Sequence, residues 1–144
     1  MELGDLDSVH AIEQVVHRAP WTRDILRDCI LVDYDCRVIE ADLPLRPVIA
    51  GYIISRYDEN ACHILNISVA SELQHTGYGQ LLLQAVFDSL VNTEIKSIFL
   101  EVRPSNVWAR HLYEKMDFQQ IGVKRGYYRV DQTIEDALVL EKKL

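Results

Sequence analysis

In the first thirty residues the apolar positions fall three and four apart. Leu6, Val9, Ile12 and Val16 mark one face of a helix, with Asp5 or Asp7 placed to cap it. Pro20-Trp21-Thr22 breaks this run, and Thr22 can cap a short second helix carrying Ile25, Leu26, Cys29 and Ile30. The period then changes. Cys36–Glu40 reads as a strand and the proline-bearing stretch from Asp42 to Pro47 as a loop. Val48–Tyr57 and Ala61–Val69 read as two strands of a hairpin turned by Asp58-Glu59-Asn60. A longer helix follows, with Leu82, Leu83, Val86, Phe87, Leu90 and Val91 on one stripe. Ser97–Val102 is short and nearly all apolar, the pattern of a central strand buried on both faces. Ser105 or Asn106 opens another helix, whose Trp108, Leu112 and Met116 stripe is expected to face the core. Phe118–Lys124 and Glu135–Glu141 read as two closing strands.

This order of helices and antiparallel strands, then β-loop-α-β-α-β-β, predicts an α/β (α+β) fold with a mixed, mostly antiparallel sheet flanked by helices. A chain of 144 residues fits one domain, 1–144, able to bury a full core without metal or disulfide staples. No apolar run approaches the ~18 residues of a membrane span, and the acidic start Met1-Glu2-Leu3-Gly4-Asp5 lacks the apolar stretch of a signal peptide. A cytoplasmic protein without membrane attachment is expected.

Fifteen basic and 22 acidic residues leave a net charge of −7, which disfavours nucleic acid as a partner and favours cationic ones. Cys29, Cys36 and Cys62 form neither an even disulfide set nor a CxxC pair, so they are expected as reduced thiols among apolar neighbours. The five histidines show no metal-binding spacing, and no metal is expected. Neither a GxSxG serine nucleophile nor a P-loop is present.

The stretch with the most chemistry is Gln74-His75-Thr76-Gly77-Tyr78-Gly79, between strand Ala61–Val69 and the long helix. Glycines here let the backbone turn tightly and leave amide N–H groups uncovered. Those amides sit at a helix N-terminus, where the macrodipole favours an anion such as a pyrophosphate. A tight strand-to-helix turn uses glycine for its own sake too. The spacing is not the dinucleotide G-x-G-x-x-G, because Leu82 occupies the third position.

The Gln74-x-x-Gly77-x-Gly79 loop, Asn66-Ile67-Ser68-Val69, Leu100-Glu101-Val102-Arg103, Ser105-Asn106, Leu112-Tyr113-Glu114 and Asp117-Phe118 together resemble the Gcn5-related N-acetyltransferase (GNAT) family. Pro20-Trp21-Thr22 and Arg125-Gly126-Tyr127-Tyr128 make the chain similar to the branch that acetylates the N-terminal alanine of ribosomal proteins. The resemblance runs from about Leu6 to Leu140. It implies acetyl-CoA as co-substrate, the basic tail of a small-subunit ribosomal protein as acceptor, and direct transfer to a protein N-terminal amine. Ile67, Ser68 and Val69 would contact the pantetheine arm, and His75, Thr76, Gly77, Tyr78, Gly79 and Gln80 the pyrophosphate. Asn106 would add a cofactor contact, although it also suits a plain helix cap. His75 and Gln80 stand where many relatives carry a cation, which implies weaker cofactor binding. Trp21, Tyr127 and Tyr128 would border the acceptor groove.

Acetyl transfer to an amine needs a proton acceptor, a polarised carbonyl and a proton for the departing thiolate. Glu101 is the charged side chain of Ser97–Val102 and faces away from Ile98, Leu100 and Val102. It is either the proton acceptor, directly or through water, or a strand-end carboxylate paired with a neighbour such as Arg103. Tyr113 is either the acid that protonates the thiolate or an aromatic filler between helix and sheet. By resemblance both are catalytic. A small-molecule amine acetyltransferase and a non-catalytic acyl-CoA-binding module would share the glycine loop. The joint presence of Glu101 and Tyr113 argues against the module.

Overall fold

The computed structural model describes residues 1–144. Four α-helices and six strands follow in the order α1 (Leu6–Val16), α2 (Arg23–Leu31), β1 (Asp35–Asp42), β2 (Pro47–Tyr57), β3 (Ala61–Val69), α3 (Tyr78–Ser89), β4 (Ser97–Val102), α4 (Val107–Lys115), β5 (Gln119–Val130) and β6 (Thr133–Lys143). The strands form one mixed sheet in the order β1-β2-β3-β4-β6-β5. Two compact units divide the chain: Met1–Arg56 with Asn66–Val91, and Tyr57–Leu65 with Asn92–Leu144.

In the first unit, α1 buries Leu6, Val9 and Ile12, as its spacing predicts. Its start differs from expectation. A 3₁₀ turn, Leu3–Asp5, precedes it, and Asp5 accepts a 2.7 Å bond from the Glu2 N–H instead of capping α1. Thr22 caps α2 through a 3.2 Å bond from the Ile25 N–H. β1 runs antiparallel to β2 from Asp35↔Ser55 to Asp42↔Pro47, with a register shift at Ile39/Glu40. β2 is the strand buried on both faces, from Ala50 to Ser55. That property was expected of Ser97–Val102, where burial instead alternates: Ile98, Leu100 and Val102 are buried, while Ser97, Phe99 and Glu101 are partly open. β3 buries Cys62, Ile64, Asn66 and Ser68 on one face.

The second unit is built on the long hairpin of β5 and β6, with β4 antiparallel to β6 from Ser97↔Lys143 to Val102↔Leu138. β4 is parallel to β3 over Ala61↔Ser97 to His63↔Phe99. β5 and β6 extend past the expected Phe118–Lys124 and Glu135–Glu141, because the strand continues through Arg125–Val130 across two register shifts. Phe118 lies outside the strand, buried at the end of α4.

The face of α4 also departs from its predicted stripe. Trp108 is 67% exposed, whereas Tyr113 and Met116 are buried. The helix ending explains the rotation. Asp117 takes a left-handed φ of 69°, its N–H donates to Glu114 O at 3.1 Å, and the Phe118 N–H reaches back to Tyr113 O at 2.9 Å. This is a Schellman termination, whose flanking residues meet across the turn. Here those residues are Tyr113 and Phe118, edge to face with ring centroids 5.7 Å apart.

Candidate active site

The first unit supplies the candidate cofactor cradle. After β3 a 3₁₀ turn (Ser71–Leu73) leads to Gln74, whose Nε2 donates to the Val69 carbonyl at 3.0 Å and closes the loop on itself. His75 and Gly77 both take positive φ, 64° and 97°. At Gly77 a Cβ would meet nothing within 4 Å, so backbone conformation and not crowding calls for glycine there. Gly77 is the N-cap of α3, and no side chain caps the helix. The first-turn N–H groups of Tyr78, Gly79 and Gln80 have no intrahelical partners, at the positive end of the helix dipole. Residues His75 to Gln80 therefore fit a pyrophosphate. Gly51 on β2 lets β3 come close: a Cβ there would lie 2.6 Å from the Ser68 carbonyl oxygen. That contact sets the position of Ile67-Ser68-Val69, the strand segment expected to carry the pantetheine contacts.

The second unit supplies the candidate acid–base groups. The Glu101 side chain is only 7% exposed, and both its oxygens are engaged. His63 Nε2 lies 2.7 Å from Oε2, and Lys124 Nζ donates to Oε1 at 2.7 Å. Arg103, the neighbour expected as an alternative partner, turns elsewhere: it pairs with Glu135 at 3.6 Å and stacks over the Tyr128 ring at 4.0 Å. Burial alone would raise the Glu101 pKa, but the bonds from His63 and Lys124 outweigh it and hold the carboxyl at about 2. Lys124 is raised in turn by its bond to Glu101. His63 itself stacks on Phe99 with ring centroids 4.3 Å apart.

Lys124 also lies 5.3 Å from the Tyr127 ring, and Tyr127 meets Tyr128 edge to face at 4.9 Å. Thus Lys124 joins Glu101 to Tyr127, and Tyr127 in turn meets Tyr128. Burial, with the charge of Tyr127 next, pushes the Tyr128 phenol up to about 12. The Tyr113 phenol is raised above its usual value by burial and then by Tyr128. It stays a neutral O–H donor at all physiological pH, but a weaker acid than an exposed phenol. Asn106 is an N-cap, its Oδ1 accepting from the Ala109 N–H at 3.2 Å. Trp21 lies in the turn between α1 and α2 in the first unit.

Sequence reasoning missed His63, Lys124 and a buried carboxylate, Glu13. The first two are 38 and 23 residues from Glu101 along the chain, so no local spacing pairs them with it. Glu13 did leave a signal, because it continues the Leu6–Val9 stripe of α1 as a polar residue at a core position. No three His, Cys, Asp or Glu side chains gather as a metal site, none of the three cysteines is in a disulfide, and no helix is long and apolar enough to cross a membrane.

An uncapped, glycine-started helix after a sheet strand, in a mixed α/β sheet, is the frame on which one large family moves acyl groups. The acetyltransferase (GNAT) family model matches residues 6–118, and the chain belongs to that family as an N-acetyltransferase. Among curated relatives it is 29% identical over 140 residues to the ribosomal protein bS18-alanine N-acetyltransferase of Escherichia coli, covering 97% of this chain and 92% of the relative. The crystal structure of the Escherichia coli enzyme superposes with a TM-score of 0.85 at 27% identity, over 99% of this chain and 90% of that one. The NatC complex bound to Gag peptide and CoA shares the fold, with a TM-score of 0.83 at 19% identity over 97% of this chain and 91% of that one.

Proposed function

We propose that the protein transfers the acetyl group of acetyl-CoA directly to the N-terminal α-amine of a protein, the acceptor being the alanine that begins a small-subunit ribosomal protein. The observation that carries this reading is the uncapped first turn of α3, an anion cradle in a chain aligned over nearly its whole length with alanine N-acetyltransferases. His75 to Gln80 would hold the pyrophosphate through backbone N–H groups. Ile67 to Val69 would line the pantetheine arm, with the Val69 N–H polarising the thioester carbonyl, and Asn106 would add a further cofactor contact. Acetyl-CoA supplies the activated acyl group.

Attack by the amine forms the C–N bond, and collapse breaks the C–S bond. An α-ammonium loses two protons on the way to the amide, one before attack and one as the adduct collapses; one goes to solvent and the other is balanced by the proton that reaches the sulfur. Glu101, ionised at any working pH, would accept the first. An α-ammonium has a pKa of ~8, so a carboxylate at about 2 does not keep that proton but passes it on to solvent. Tyr113 would protonate the thiolate. Its raised pKa makes it a reluctant acid, so transfer would accompany C–S cleavage rather than precede it. Trp21, Tyr127 and Tyr128 would border the acceptor, and the net charge of −7 favours a basic peptide tail over nucleic acid. The reaction would take place in the cytoplasm.

The test is purified protein with acetyl-CoA and peptides beginning with alanine, read by free thiol and by peptide mass. The reading requires acetylation at the α-amine and none on peptides with blocked N-termini. Acetylation of small amines alone would overturn the protein acceptor while leaving the enzyme class intact.

A further inference from the structure

Glu13 is a carboxylate inside the first unit, 1% exposed, on the face of α1 that also buries Leu6 and Val9. A lone carboxylate there would be costly, and its partners show how the cost is met. Oε1 accepts from the Tyr52 phenol of β2 and from Asn66 Nδ2 of β3 at 2.6 Å. Oε2 accepts from the backbone N–H of Trp21 at 3.1 Å. His17, four residues on, places Nε2 3.6 Å from Glu13 Oε1 and 2.5 Å from Ser68 Oγ. The Ser68 hydroxyl also lies 3.4 Å from Asn66 Oδ1, so His17, Ser68 and Asn66 form a chain of polar contacts that returns to Glu13. Burial and the Glu13 charge raise the Tyr52 phenol, so it remains a donor.

One carboxylate thus ties three separate pieces of chain: the turn at Trp21, strand β2 and the Asn66–Ser68 stretch of β3. An apolar residue at position 13 could fill the same space but could not hold a backbone N–H in a fixed place. The two oxygens divide the work, one toward the sheet and one toward the turn.

We propose that Glu13 is the positioning residue of the acceptor side. Oε2 pins the Trp21 turn, and Oε1 fixes that pin to β3, so the acceptor-side turn and the cofactor strand are set in one frame. The inference rests on the reading that Trp21 borders the acceptor and Ile67–Val69 the cofactor. A carboxylate that served fold stability alone would move Trp21 mobility and acceptor KM no further than another variant of equal Tm loss.

Glu13→Gln separates these roles. With its oxygen toward Tyr52 and Asn66, the new amide turns an N–H₂ toward the Trp21 N–H, and only the pin is lost. Tyr52→Phe removes a bond on the sheet side and keeps the pin. The chain has two tryptophans, so a Trp108→Phe background leaves Trp21 as the sole tryptophan, and acrylamide quenching under excitation at the red edge, where the seven tyrosines do not absorb, reads its mobility without reference to activity. Glu13→Gln should raise Trp21 quenching and increase the acceptor KM about tenfold, equivalent to ~1.4 kcal/mol, with acetyl-CoA KM unchanged. Tyr52→Phe should lower Tm while quenching and acceptor KM stay at the parent values. The proposal is overturned if Glu13→Gln matches the parent in both readouts, or if Tyr52→Phe moves both as far. Should the glutamine variant not fold, Glu13→Asp keeps the charge but shortens the reach to both sides, so it is read against Tyr52→Phe: quenching and acceptor KM no higher than in Tyr52→Phe would overturn the proposal. A parent that acetylates no peptide would refute the protein acceptor separately. The quenching comparison, and KM for whichever amine the parent does acetylate, would still decide on the pin.

Discussion

Gly51→Ala adds one methyl group where β2 approaches β3. Its Cβ would stand 2.6 Å from the Ser68 carbonyl oxygen, with Leu82 Cδ1 and the Val69 Cα each at 3.3 Å. Ordinary contact begins near 3.4 Å, so the backbone at Ser68 must retreat by roughly 0.8 Å. A flexible side-chain tip could move aside, but a strand carbonyl cannot move alone. Alanine would recover about 0.5–1 kcal/mol of the entropy that glycine loses in a strand. Overpacking of a filled core costs about 1–3 kcal/mol, and with backbone as the obstacle the upper part of that range applies. The expected net loss is about 1–2 kcal/mol, or roughly 3–6 °C in Tm for a chain of this size. Because the displaced atoms belong to the segment assigned to the pantetheine arm, acetyl-CoA KM should rise as well, with acceptor KM less affected. Gly4→Ala is the control, since a Cβ there meets nothing within 4 Å. Thermal melts and initial-rate kinetics on the two variants decide the matter. Equal Tm values and equal acetyl-CoA KM would refute the claim that this close approach holds the cofactor strand in place.

Glu101→Gln should leave acetyl-CoA affinity intact and lower turnover by roughly 10²–10⁴-fold; a near wild-type rate from pH 6 to 9 would remove Glu101 from proton acceptance. Tyr113→Phe keeps the ring packed on Phe118 and deletes the hydroxyl, so turnover should fall about as far with Tm little changed; unchanged activity per folded molecule would make the ring a filler. Glu101 is held at about 2 against 4.5 unfolded, so its contribution to stability is complete above pH 4.5 and drains away as pH falls toward 2. Lys124→Met withdraws one of the two bonds that lower it, so stability at pH 7 should drop and the loss between pH 4.5 and 2 should become shallower; urea titrations at both ends of that window giving the parent slope would contradict the pairing.

The parts of this fold legible in the sequence are those whose cause is local. Thr22 caps α2 because a hydroxyl three residues before an amide suffices, and Glu101 turns away from Leu100 and Val102 because strands alternate. The face of α4 is ambiguous in the sequence because two stripes share Leu112 and Met116. One adds Trp108 and the other Tyr113, and only the Tyr113–Phe118 contact across the helix end decides between them. The apolar run of β4 points to burial on both faces, yet that property belongs to β2, where Gly51, Tyr52 and Ser55 disguise the pattern. In the candidate site, Glu101 could be named from its strand, but His63 and Lys124 could not. Their meeting depends on the register of β3 with β4 and on the shifts in β5. The pKa of Glu101 follows from those partners and was equally out of reach.

β5 ends the sheet, and this has a consequence for how the protein behaves in concentrated solution. Its free edge carries Ile121, Val123 and Tyr127 exposed, the kind of strand that recruits another chain's backbone. Two irregularities, at Gln120/Gly122 and Lys124/Tyr128, break the row of amides into short pieces, and Lys124, Arg125 and Arg129 place charged side chains along it, the first two paired with Glu101 and Asp136. The strand is a latent seam for chain-to-chain pairing, guarded by its own kinks and by its charged side chains. Salt that screens those three cations loosens only the second of these guards, so the kinks at the two register shifts should still oppose edge pairing at high ionic strength.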